Sequence, residues 1–139
     1  MKKYLLILFV LSLALSACAS GSNTPSLTGS WKLTAYGPAD SPVPAVEGSE
    51  ASLTFNADGT LTGNGGCNSL GGEYKENGDQ IEFGPIMSTL MACIDDGRMS
   101  QEGVVTQVMT DAASYQIEGN TLTITRDGTV LVLEAIAGK

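Results

Sequence analysis

Tyr115-Gln116-Ile117-Glu118-Gly119-Asn120-Thr121-Leu122-Thr123-Ile124-Thr125-Arg126-Asp127-Gly128-Thr129-Val130 decides the fold class. Tyr115 and Ile117 alternate with polar neighbours, and so do Leu122 and Ile124. Period-two alternation places apolar side chains on one face of a strand. Gly119-Asn120 and Asp127-Gly128 break the runs, and such pairs supply the backbone conformations that tight hairpins need. Two antiparallel strands are therefore expected, followed by a third from Val130 to Ile136. That last run is densely apolar, as expected of a central or doubly covered strand.

Outward from this stretch the same grammar repeats. Leu53 and Phe55 alternate, Asn56-Ala57-Asp58-Gly59 turns the chain, and Leu61 resumes. Glu73-Tyr74-Lys75, a turn at Asn77-Gly78, then Ile81 and Phe83 make a second hairpin. Trp31, Leu33 and Ala35 form an earlier strand, with structure beginning near Leu27. Gly37 to Glu50 carries Pro38, Pro42 and Pro44 with few large apolar groups, and reads as a loop. Gly63-Asn64-Gly65-Gly66-Cys67-Asn68 is too rich in glycine for an ordinary strand and predicts a bulge or a close backbone approach. Residues 97–111 are the one helix candidate, because Val104, Val105, Val108 and Met109 share a helical face. Valine and Gly103 lower its intrinsic propensity, so packing must hold it. Asp95 or Asp96 is the expected N-cap. Together these elements predict a mostly β (α+β) domain, an antiparallel β-meander or small barrel-like sheet with one packed α-helix. Asp58-Gly59-Thr60-Leu61 and Asp127-Gly128-Thr129-Val130 resemble each other, which fits an internal duplication or shared hairpin chemistry equally well.

The first residues carry a different message. Met1-Lys2-Lys3 precedes an apolar run from Tyr4 to Leu15, then Leu15-Ser16-Ala17-Cys18. A basic start, a short apolar stretch and small residues before a cut are the marks of an export signal. The run falls short of the roughly twenty apolar residues of a membrane span. Leu15-Ser16-Ala17-Cys18 resembles the lipobox of bacterial lipoproteins, in which the cysteine becomes the first mature residue and carries the lipid. The expected organisation is a signal peptide over 1–17, lipidation at Cys18, a flexible Ser/Gly/Asn/Thr/Pro tether over 18–26, and one domain over 27–136. Stable attachment takes more than one acyl chain. The expected location is the cell envelope: the outer membrane facing the periplasm in a Gram-negative cell, since Ala19 and not Asp follows the cysteine, and otherwise the outer face of the cytoplasmic membrane.

Charge and composition narrow the function. The chain has 15 acidic and 7 basic residues. Without Lys2 and Lys3 the mature net charge is about −10, which argues against nucleic acid, whose affinity rests on Lys and Arg. The chain contains no histidine, the commonest general base and metal ligand. Cys67 and Cys93 form an even pair outside the cytoplasm, which reads as a disulfide. Two cysteines without histidine make a poor zinc site, and a catalytic thiol would want a basic neighbour. No catalytic residue, metal or cofactor is expected.

Trp31-Lys32-Leu33, Leu53-Thr54-Phe55, Gly65-Gly66-Cys67-Asn68, Gly72-Glu73-Tyr74, Thr89-Leu90-Met91-Ala92-Cys93 and Glu102 follow one another in an order that resembles the META domain family of HslJ-like bacterial lipoproteins. The resemblance spans about residues 27 to 136. It implies a compact β-rich domain with one helix and no established catalytic activity, in proteins tied to heat stress, drug tolerance and virulence. Leu90 is a departure, because members often carry Arg there.

Asn68, Gly71, Gly72, Tyr74, Thr89 and Met91, grouped about the cysteines, are the candidate binding patch. Local backbone bonding by Asn68 and tight packing at the glycines would explain the same residues structurally. Asp95-Asp96 lacks the spaced ligands of a calcium loop. Glu73, Glu76, Asp79 and Glu82 could supply a carboxylate pair, but they sit at turn edges where a solvated charge is the default. Three functions are consistent with these residues. The first is a non-catalytic, lipid-anchored envelope protein supporting envelope integrity or stress and drug tolerance through binding. The others are a module for an acyl chain or small apolar ligand, and a small β-barrel protease inhibitor. The partners expected are the membrane, through the lipid, and an envelope protein or apolar ligand.

Overall fold

The computed structural model describes residues 26–94 and 97–137. The expected lipidation site Cys18, the expected signal and most of the expected tether, and Asp95-Asp96, lie outside them. Ten strands and one helix follow in order: β1 (Gly29–Pro38), β2 (Val43–Pro44), β3 (Ser52–Phe55), β4 (Thr60–Asn64), β5 (Ser69–Asn77), β6 (Gln80–Phe83), β7 (Met87–Ser88), α1 (Arg98–Val108), β8 (Ala112–Glu118), β9 (Thr121–Arg126) and β10 (Thr129–Ala135). All pairings are antiparallel, in the order β10-β9-β8-β6-β5-β4-β3-β1, and β1 also pairs β10. The sheet therefore closes on itself as an eight-stranded barrel. The two short strands are outriders: β2 adds to β1 and β7 to β5.

The expected meander is present, and its turns work as their residues dictate. Asp127 and Gly128 both have positive φ, 48° and 75°, as a two-residue type I′ turn between Arg126 and Thr129 demands. Alternation sorts the side chains. Leu53, Phe55, Leu61, Ile81, Leu122, Ile124, Leu131 and Leu133 are buried, while their chain neighbours mostly face outward. The density of β10 is explained by its position: it pairs β9 on one side and β1 on the other, and so closes the ring. β1 runs longer than Trp31–Ala35 because it must span both β3 and β10, with an irregularity between Leu33 and Ala35. The Gly37–Glu50 loop contains β2, which the prolines had obscured.

The registers place two different ends on the barrel. The turns at 56–59, 77–80 and 118–121 lie at one end, with Leu27, whose carbonyl accepts the Trp31 indole N–H at 2.8 Å. At the other end lie the loop after β1, the β4–β5 connection and the long link from β6 to β8, which contains α1. The helix covers that mouth: Val105, Val108 and Met109 join the barrel side chains in one core. Its N-cap is Gly97, with φ 92°, and not Asp95 or Asp96 as the residue types suggested. A left-handed conformation at that position suits glycine far better than aspartate. Two further buried positions, Gln101 and Glu102, are polar.

Candidate functional site

The glycine-rich stretch lies directly under the helix. A Cβ on Gly65 would stand 2.5 Å from Glu102 Cγ, and one on Gly66, whose φ is +128°, 2.6 Å from Gln101 Nε2. Only glycine allows so close an approach. It brings backbone groups of the β4–β5 connection into a dry interface, where each must find a partner. The helix supplies them. Gln101 donates to the Gly65 carbonyl (3.0 Å) and to Ser49 Oγ (3.2 Å), and its carbonyl accepts the Val46 N–H at 2.7 Å. Glu102 Oε2 accepts the N–H groups of Cys67 (3.2 Å) and Asn68 (2.6 Å), while Oε1 accepts Asn68 Nδ2 at 2.7 Å.

Asn68 passes this restraint on to a second segment. Its Oδ1 accepts Met91 N–H (2.7 Å) and Thr89 Oγ1–H (2.9 Å), and its Nδ2 reaches the Met91 carbonyl at 3.4 Å. Thr89 N–H bonds the Ser69 carbonyl at 3.1 Å, and Ser69 N–H bonds Thr89 Oγ1 at 3.2 Å. Cys67 is disulfide-bonded to Cys93, with Cα atoms 5.9 Å apart. Upstream, β7 pairs Leu70 and Gly71, and Ile86 occupies the inward space that Gly72 leaves, where a Cβ would stand 2.8 Å from Ile86 Cδ1. A segment of about ten residues is thus fastened at Ile86, β7, Thr89, Met91 and Cys93. What it displays between and beyond those fastenings is apolar: Leu90 is 99% exposed and Ile94 92%, with Met87 and Met91 also exposed. From Gly84 to Ile94 there is no charged side chain.

The candidate patch residues therefore play different parts. Asn68 is the buried hub, Gly71 lies under β7, Gly72 makes room for Ile86, and Thr89 and Met91 belong to the displayed segment. Tyr74 stands apart, turned into the barrel, where its ring meets Phe55 edge-on at 5.0 Å and its hydroxyl donates to the Asn56 carbonyl at 2.8 Å. Glu102 was visible in the sequence only through the family pattern. Gln101 had no signal of its own, because a polar residue on an apolar helical face reads as a break in that face.

The barrel offers little room inside. Its interior is filled by close-packed side chains. A cleft of about 480 Å³ lies at the covered mouth beside Phe83, Pro85, Ile86, Met109 and Asp111, and opens to solvent. Glu73, Glu76, Asp79 and Glu82 are all exposed: Glu73 and Glu82 on the outer face of the β5–β6 hairpin, Asp79 in its turn, and Glu76 opposite Ile81 at the open end of the barrel. Glu76 and Asp79 help to raise the Tyr115 hydroxyl above its usual pKa, after the larger effect of burial. Asp58 is held below the usual carboxylate range by Thr60, which donates from its hydroxyl at 2.6 Å and from its N–H at 2.9 Å. Among the described residues no three His, Cys, Asp or Glu side chains gather as a metal site, and no helix is long and apolar enough to cross a membrane.

The META domain model matches residues 25–137. The chain belongs to the META domain family. Among solved structures, this META domain is similar to a protein from Burkholderia xenovorans determined by NMR, at 27% identity and a TM-score of 0.66, covering 79% of this chain and 83% of that one. It shares its fold with a second NMR structure, at 17% identity and a TM-score of 0.63 over 77% and 88% of the two chains. A DUF4847-family protein from Bacteroides vulgatus has the fold as well, at 15% identity and a TM-score of 0.60 over 81% and 95%. No curated protein matches the sequence.

Proposed function

We propose that this META-domain protein is a non-catalytic, lipid-anchored protein of the cell envelope that supports envelope integrity or stress and drug tolerance by binding through its outer surface. The observation that carries the reading is the contrast between a filled barrel interior and an apolar segment displayed outside it, from Met87 to Ile94. Large exposed apolar groups held in fixed positions are a common mark of an interaction surface. A ligand stored within the barrel would need a cavity that the packed side chains occupy. The lipid anchor rests on Leu15-Ser16-Ala17-Cys18 and on the tether that follows. Anchorage would hold the binding surface at high effective concentration near membrane-associated partners.

The non-catalytic part of the proposal is supported by what a hydrolase or transferase needs: a nucleophile, a base within reach, and support for developing charge. The chain has no histidine, Cys67 and Cys93 are bound to each other, and the carboxylates on the β5–β6 hairpin face solvent. The test is a deletion strain complemented with variants. Cys18→Ser should abolish labelled palmitate incorporation and membrane fractionation. A triple Ser replacement of Leu90, Met91 and Ile94 should lose heat or drug tolerance while remaining folded and membrane-bound. Full tolerance in that triple variant would overturn the surface-binding reading.

A further inference from the structure

We infer that the Thr89–Ile94 segment is a rigid, substrate-like loop that enters the cleft of a serine endopeptidase with an apolar specificity pocket, with Leu90 as the anchoring side chain. The inference rests on the binding reading above and names its partner class. Three observations carry it. First, the segment leaves the end of an antiparallel ladder: β7 pairs Leu70 and Gly71, and Thr89, the first residue after it, bonds Ser69. Extended chain is the form in which polypeptides add to an accepting cleft. Second, both neighbours of Leu90 are tied to the same scaffold residue, Thr89 through Oγ1 and Met91 through N–H, each to Asn68 Oδ1. Leu90 between them is 99% exposed. The most exposed of the segment's apolar side chains, held between two clamped neighbours, suits a concave apolar pocket. It leaves most of a flat partner surface untouched.

Third, the charge pattern selects among occupants. The eleven residues from Gly84 to Ile94 are uncharged in a chain whose net charge is −8. An apolar pocket accepts this segment without a lost ion pair. A second copy of the chain, or an anionic lipid surface, would bring like charges together. Because the loop is tied down at Thr89, Met91 and Cys93, less conformational entropy remains to be lost on binding.

The fastenings also suit a loop that survives contact with an endopeptidase. If water added across the Leu90–Met91 peptide bond, it would leave a carboxylate on Leu90 and an ammonium on Met91. The first end would stay held through Thr89, and the second through the bonds of Met91 to Asn68 and the disulfide at Cys93. The cut loop would remain seated, and release would be slow.

The experiment uses the full-length protein purified in detergent under oxidising conditions. Chymotrypsin, with an apolar slot, and trypsin, with an acidic pocket, are the probes, each assayed on a small chromogenic substrate. The expected result is inhibition of chymotrypsin with a constant at or below ~1 μM, within the range of standard-size interfaces. Leu90→Asp should weaken it by about 30-fold or more, the loss of a central anchor. Leu90→Lys should transfer inhibition to trypsin. Both substitutions change an exposed side chain, and unchanged Trp31 fluorescence would show that the barrel is intact. Asn68→Ala should turn the protein into a substrate cut between Leu90 and Met91. Absence of inhibition by the oxidised protein, rapid release of a cut loop from the parent, or equal inhibition by Leu90→Asp would overturn the inference. The assay is independent of lipidation and tolerance: a protein that is anchored and protective but does not inhibit overturns this inference alone.

Discussion

Glu102 grips Asn68 twice, through the main-chain N–H at 2.6 Å and the side-chain amide at 2.7 Å. The pair joins the helix to the β4–β5 connection. Through Asn68 it also fixes the segment around Leu90. A carboxylate so placed matters through the donors it satisfies. Glu102→Ala should leave Cys67 N–H, Asn68 N–H and Asn68 Nδ2 without this acceptor in a buried site. The expected loss is roughly 3–5 kcal/mol, since stranded buried donors cost about 1–3 kcal/mol each and are not additive. Urea unfolding followed by the single tryptophan, Trp31, measures it, and a loss under about 1 kcal/mol would show that the bonds are dispensable.

The glycines at the same interface make a sharper contrast. Gly65→Ala places a methyl group 2.5 Å from Glu102 Cγ and should cost about 2–4 kcal/mol by forcing the helix outward. Gly103 lies within α1, and a Cβ there meets nothing within 4 Å. Gly103→Ala should therefore stabilise the protein by about 0.5–1 kcal/mol through helix propensity alone. Thermal melts of the two variants should move in opposite directions.

Reduction of Cys67–Cys93 tests the fastening of the loop. The cross-link spans a sequence separation of 26, and chain entropy assigns it about 3–4 kcal/mol. The reduced protein should melt at lower temperature. At sub-melting temperature, limited proteolysis should begin between residues 87 and 94, because the barrel strands keep their own ladder. First cuts within β9 or β10 would show that the disulfide holds the barrel itself.

Two groups make the pH dependence of stability legible. Asp58 is depressed in the folded protein by its bonds to Thr60. Its contribution is present above the ordinary carboxylate pKa and fades as pH falls through the folded value. Asp58→Ala should therefore differ from the parent more at pH 6 than at pH 2. Tyr115 has its pKa raised from 10.0, by burial first and by Glu76 and Asp79 after it. The folded state then holds the proton more tightly than the unfolded chain. Stability should be intact below pH 10 and decline as pH rises through the folded value, and Tyr115→Phe should flatten that decline. Chemical denaturation across the pH range measures both.

Replacing Glu73, Asp79 and Glu82 together should leave tolerance to heat and drugs unchanged, since these carboxylates face solvent. Loss of tolerance in a folded, abundant triple variant would revive an acid/base role for them.

Much of the barrel was legible because strand signals are local. Alternation at Leu53 and Phe55, or at Leu122 and Ile124, with a turn pair beside it, states a hairpin without reference to anything distant. Closure was not legible in the same way. Trp31 lies opposite Ala135, more than a hundred residues on, and nothing in either strand names the other. β7 was hidden for a related reason: Met87-Ser88 has no alternation and becomes a strand only because β5 extends past β6. At the site, Gly63–Asn68 announced a close approach but not its partner. The partner is a helix whose buried face includes Gln101 and Glu102, polar groups that lower the very periodicity by which the helix is recognised. The cysteine pair was readable from parity and the expected compartment. The role of Asn68 depends on atoms from three separate segments, which no single window of sequence contains.

The pairing of β1 with β10 also sets an order of events during synthesis. β1 is made about a hundred residues before Thr129–Ala135, which it needs as one of its two main neighbours. The hairpins between β3 and β6 and the meander from β8 to β10 can each form from nearby chain. The seam between β1 and β10 must wait, and distant pairings of this kind form slowly. Until it closes, the edge of β1 that carries Trp31 and Leu33 remains open to any other strand that meets it. The last step of folding is thus also the step at which two unfinished copies could join each other.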